Sequence, residues 1–279
     1  MHNPSIIRDL SPRVGLYAAV ATRSFRRYST YRAATLAGIF TNTVFGVIIA
    51  YTFIALWDQR PNLGGYGQQE ALTFVWIAQA LLMPVGLFGG GIQEEFAERV
   101  RSGAVATDLQ RPVPLLWWRF AEDAGRAAYH FLSRGLAPVL LGSLLFDLAW
   151  PKEVSTYAWF LLAVALAVGV GFGFRYLLGL LAFWVIDIRG FITLLIITQL
   201  FFSGMVLPLV VFPGWLRAVA EALPFRCLVQ IPADVFLREG TGTAVLPLLG
   251  IQFFWLVVLL AAGHLLTTAA IRKVVVQGG

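Results

Sequence analysis

Apolar residues run through this chain in long blocks, and polar residues gather in the short stretches between them. Six blocks stand out, at about residues 33–57, 71–92, 127–150, 156–185, 190–207 and 244–270. The first, as a helix rising about 1.5 Å per residue, reaches roughly 37 Å, enough to cross a hydrocarbon layer of about 30 Å with some tilt. The pattern therefore predicts an all-α membrane protein with six transmembrane helices. Pro84 should kink the second span, and Gly86, Gly89, Gly90 and Gly91 should loosen its exit. In the fourth, Gly169, Gly171 and Gly173 leave room for another backbone to pack close.

Three polar or broken stretches carry the remaining organisation. Residues 1–32 read as a cytoplasmic N-terminal arm, in which Val14, Tyr17, Ala18, Ala21, Phe25 and Tyr28 recur at helical spacing opposite Arg23, Arg26 and Arg27. That is the signature of an amphipathic helix lying along the membrane surface. The loop 94–126 holds five arginines and six acids. Glu94 to Val100 can form a short helix with Phe96 and Val100 on one face, Gly103 can end it, and Ala104 to Leu109 can make one more turn before Pro112 and Pro114. Together they predict a rigid polar elbow. Residues 208–240 are too proline-broken for a span and too apolar for a solvated loop, so two short re-entrant helices are expected there, one after Pro213 and one at Pro232. Residues 33–279 otherwise form a single transmembrane domain.

Composition agrees with this class. The chain is 58% hydrophobic and 13% charged, where a soluble domain carries about 25%. No cleavable signal is evident near Met1, so the first span should serve as its own insertion signal. The net charge of +6 does not point to nucleic acid, because the arginines flank apolar blocks instead of clustering with exposed aromatics. With six spans, 14 Lys and Arg residues fall on the side of the termini and the elbow, and five on the other. That asymmetry predicts cytoplasmic termini and a cytoplasmic elbow in the cell membrane.

Two stretches resemble a known family. Gly103, Asp108, Leu109, Arg111 and Pro112 match the "G, four residues, D-L, one residue, R/K-P" pattern that follows the coupling helix in permease subunits of type-2 ABC exporters. Ser203, Gly204, Pro208, Pro213 and Trp215 resemble the same family's junction between its fifth and sixth spans. The resemblance implies a permease that moves an amphiphilic substrate (drug, lipid or peptide), driven by a separate cytoplasmic ATPase subunit docked on the elbow. It also implies a second permease, identical or homologous, completing the path as a dimer. Glu95, Glu98, Arg99 and Arg101, with Gly103, Asp108, Arg111 and Pro112, are the expected ATPase-coupling residues.

The chain's own chemistry is sparse. A phosphate-binding loop needs a lysine after a glycine-rich turn, and the only lysines are Lys152, in an expected outer turn, and Lys273, in the tail. No cofactor is therefore expected in this chain, and ATP and Mg would be bound by the partner subunit. No catalytic or metal site is expected, since His2, His130 and His264 are dispersed; the last two read as interhelical hydrogen-bonding groups. Arg134 and Arg175 lie well inside spans, where a charge faces a bundle interior or an aqueous cavity. They either pair with Asp123 or Asp187, or attract an anionic headgroup or substrate. Arg134, Arg175, Phe201 and Phe202 are thus the candidate substrate path. The competing readings are an intramembrane enzyme built on Ser203 and His264, and a channel or structural subunit without nucleotide coupling.

Overall fold

The computed structural model describes residues 10–86, 92–237 and 244–277, and all regular elements among them are helical. The glycine run Gly89, Gly90 and Gly91, Arg238 and the first nine residues lie outside the described residues. Helix α1 (Leu10–Ser29) precedes α2 (Arg32–Gln59), which stops before Pro61. A turn through Asn62, Gly64 and Gly65, all at positive φ, leads to α3 (Gln68–Val85), whose start is capped by Glu70 accepting the Gly67 N–H at 2.7 Å.

Helix α3 is the axis of the molecule. Every residue from Ala71 to Leu81 is buried, because α2, α6 (Leu115–His130), α8 (Val154–Leu181) and α11 (Gln230–Leu237) pack around it. Within it the Thr73 hydroxyl donates to the Gln69 carbonyl and accepts the Ala149 N–H, both at 2.8 Å, while the Gln79 Oε1 is buried without a partner. Among the described residues three helices, α3 not one of them, are long and apolar enough to cross a membrane: Arg32–Gln59, Val154–Leu181 and Leu246–Lys273 within α12 (Leu246–Gln277). Helix α9 (Arg189–Phe202) is apolar but only 14 residues long.

Several expected boundaries move. The third apolar block was expected to become helical near residue 127, yet α6 begins at Leu115, behind Pro114. The early turns of α6 carry Arg119, Glu122, Asp123 and Arg126, and ion pairs within them let Arg119, Asp123 and Arg126 be buried, which apolar patterning does not register. A π turn at Phe131–Gly135 joins α6 to α7 (Leu136–Leu145), after which the chain is extended at Phe146. The second block ends as a helix at Val85, and the fifth at Phe202.

Helix α1 packs along α6. The face holding Tyr17, Ala21, Phe25 and Tyr28 turns toward protein, with Phe25 edge-on to Tyr129 at 5.4 Å, while Val14 and Ala18 stay exposed. A Cβ at Gly125 of α6 would collide with the Ala21 carbonyl, so the two helices cross at backbone contact. Beyond α9 come α10 (Gly214–Ala222), which starts after Pro213 and stops before Pro224, and α11, which carries Pro232 in its first turn. Helix α11 is almost wholly buried against α3 and α8; Gln230 of α11 donates to Tyr66 and Asp234 and accepts the Leu209 N–H at 2.8 Å.

Candidate functional site: the polar elbow and its anchors

The elbow consists of α4 (Ile92–Arg101), α5 (Val105–Leu109) and the first turns of α6. Helix α4 ends because Gly103 takes φ +75°, a left-handed conformation that costs glycine least. Phe96 is fully buried and stacks on Tyr176 of α8 at 5.6 Å, and a Cβ at Gly179 would strike its ring. The apolar side of α4 is therefore seated in α8.

One carboxylate gathers the elbow. Asp108, with a side chain only 1% exposed, accepts from Arg99 at 2.6 and 2.8 Å, from Arg119 at 3.0 Å and from Arg111 at 3.1 Å. These three arginines come from α4, from the start of α6 and from the link between α5 and α6. The hydrogen bonds to Asp108 raise the Arg99 guanidinium above the ordinary arginine pKa. Arg119 also reaches Glu122 at 2.9 Å and lies over the Phe96 ring, while Arg111 lies 4.2 Å over Trp118.

The remaining elbow residues divide by direction. Glu95 pairs with Arg27 of α1 at 3.0 Å, whereas Glu98 and Arg101 form a loose 3.5 Å pair on the exposed side. Pro112 is exposed and carries the chain from α5 into α6. A cleft of about 630 Å³ opens between α1, α4 and α6, bordered by Arg23, Arg27, Glu95, Trp118 and Glu122. Beside the elbow, Asp187 accepts the Arg189 side chain at 2.6 and 3.0 Å and its backbone N–H at 2.9 Å, which holds the carboxyl down to about 2.

A second buried group sits behind the elbow. Asp123, fully buried, binds Arg126 at 2.8 Å and Arg175 at 2.6 Å. Arg126 donates onward to the Met83 and Pro84 carbonyls, and Arg175 to those of Val85 and Gly86, all at 2.9–3.0 Å. These are the acceptors a helix leaves without intrahelical donors at its C-terminus. Two arginines and one aspartate thus cap α3 and tie it to α6 and α8, an arrangement that favours positive charge at that pole. The Asp123 and Arg126 spacing, together with Pro84, was the available sequence signal for it.

The four candidate path residues are not assembled into one site. Arg175 pairs with Asp123, one of the two carboxylates offered by the sequence, and lies in the capping group. Arg134 lies in the π turn against α2. Phe201 and Phe202 are at the far end of α9, where Phe201 is exposed and Phe202 stacks toward Phe225. The expected interhelical hydrogen bonds of the histidines are absent among the described residues: both ring nitrogens of buried His130 lack partners, and His264 is exposed. Ser203 is buried, its Oγ accepting the Met205 N–H at 3.2 Å, and makes no hydrogen bond to His264. Among the described residues no cluster of His, Cys, Asp and Glu could hold a metal ion.

Long apolar helices around an ion-paired hub define a helical membrane protein. A family model described as "ABC-2 family transporter protein" matches residues 41–278, and the chain belongs to that family, whose members are membrane permease components of ABC transporters. No curated protein matches the chain.

Proposed function

We propose that the chain is the permease subunit of an ATP-binding cassette exporter, in which separate ATPase subunits bind ATP and Mg and push on the polar elbow. The observation that carries this reading is the attachment of α4: Phe96 seats it in α8, and Asp108 ties it to α5 and α6. A force on the exposed side of α4 would reach α8 without first bending the loop. Glu98 and Arg101, pointing outward, make the polar contacts with the ATPase; Arg99, Asp108, Arg111 and Gly103 hold the frame, and Pro112 ends it. The cleft between α1 and α4 offers room for a partner element.

In this reading the chain crosses the cell membrane six times, with both termini and the elbow in the cytoplasm. Helix α3, α6–α7 and α9 supply the crossings beyond the three long apolar helices. Helix α9 exposes Phe191, Leu194, Ile197 and Phe201 at helical spacing, and this stripe supports packing against a second permease that completes the path for an amphiphilic substrate.

The test is charge reversal on the exposed side of α4. Glu98→Lys combined with Arg101→Glu should abolish co-purification of the ATPase and transport while leaving the chain folded in the membrane. Unchanged co-purification and transport would remove the elbow from the mechanism.

A further inference from the structure

On the side of the elbow away from α1, a second cleft of about 500 Å³ opens where the elbow meets the ends of two long helices. Val100, Gly103 and Ala106 of the corner between α4 and α5 form one wall, Phe183, Trp184 and Ile186 just after α8 form the other, and Lys273 of α12 stands at the edge. The corner exists because Gly103 turns the chain at φ +75°, and the space beside it is open, with nothing within 4 Å of where a Cβ would stand. Arg101 ties the walls together by donating to the Ile186 carbonyl at 3.4 Å.

Two features define what can fill this cleft. Its walls are apolar, yet the turn that carries one of them is solvated: Ile186 is 87% exposed immediately before Asp187, and both members of the Asp187–Arg189 pair are exposed. Apolar side chains held out among solvated charges mark a contact with another protein. The charges at the mouth are cations. Among the described residues Lys273 makes no ion pair, its Nζ standing 6.0 Å over the Trp184 ring, and Arg101 meets only the exposed Glu98, at 3.5 Å. An occupant that brings an apolar side chain to the walls and a carboxylate to Lys273 satisfies both features, and a basic one is repelled.

Resting on the reading of the elbow as the ATPase dock, we propose that this cleft is a socket for an apolar residue next to an Asp or Glu of the ATPase subunit. A side chain seated there touches the elbow and the ends of α8 and α12 at once, so a push reaches those two helices directly as well as through Phe96. Full-length protein co-expressed with its ATPase subunit tests this by co-purification. Ala106→Trp fills the socket from an exposed position of α5 and leaves Glu98 and Arg101 in place; it should lower retention of the ATPase about tenfold, the loss of one well-seated anchor. Lys273→Glu should lower it about threefold, the scale of a charge at a contact's rim, and Lys152→Glu, exposed in the turn before α8, should change nothing. A photo-reactive residue at position 106 should cross-link to an ATPase peptide in which an apolar residue neighbours Asp or Glu. Full retention with Ala106→Trp and Lys273→Glu, beside loss with Glu98→Lys plus Arg101→Glu, would overturn the socket and leave the elbow as the dock; full retention in all of them would remove both. Cross-linking from position 106 to lipid or to a second copy of this chain would also overturn the socket.

Discussion

Single carboxylates hold this molecule together at two places, and their environments set the size of the effect each should have. Asp123 is fully buried between two arginines that are themselves buried. Replacing it with Ala should cost about 3–5 kcal/mol in unfolding experiments in detergent, because two cations are then left without an anion in the interior. Asp108→Ala should cost less, about 3 kcal/mol, since Arg99 and Arg111 are about one-third exposed and Arg119 keeps Glu122. If the order were reversed, the capping role of Asp123 would be wrong. Asp187 provides a titration test: its carboxyl should titrate near pH 2 by NMR, and Arg189→Ala should return it toward the usual value of about 3.9. As its folded pKa is depressed, whatever that pair contributes is present at neutral pH and lost as the pH falls toward 2. The sequence showed that Arg175 needed an explanation and offered Asp123 as a partner. It did not show that the pair closes the end of α3, since the accepting carbonyls become available only where that helix stops.

At the scale of elements, the critical joint lies between α4 and α8. Phe96→Ala should destabilise the protein by about 3–5 kcal/mol, the range for emptying a buried aromatic site. It should also lower transport more than ATPase binding, because the outer side of α4 keeps Glu98 and Arg101. A transport assay beside a co-purification assay separates the two effects. Gly125→Val should displace α1 from α6 and can be followed by loss of a disulfide-free proximity signal between labels on those helices. The elbow was legible in the sequence because helix formers, Gly103 and Pro112 follow one another at short spacing. The early start of α6 was not, because hydropathy treats its charges as solvent-facing while the fold pairs them inside. The π turn left no signal in periodicity, because residues 127–150 are apolar on nearly every face and the rotation it adds has no polar stripe to displace.

For the whole molecule, the family and the buried hub define a membrane permease component, and the central claim is that an external motor engages its elbow. The two ends of the bundle provide the contrast. The elbow and the Asp187 turn lie at one end of α8 and α9, where Arg101 reaches the Ile186 carbonyl at 3.4 Å, and α10 follows the opposite end of α9. Site-specific cross-linking from these ends is the most direct measurement. With buried Cys227 replaced by Ala, Glu98→Cys should cross-link to a co-expressed ATPase subunit in native membranes, and Trp215→Cys on α10 should not. Cross-links from position 215 with none from position 98 would contradict the account.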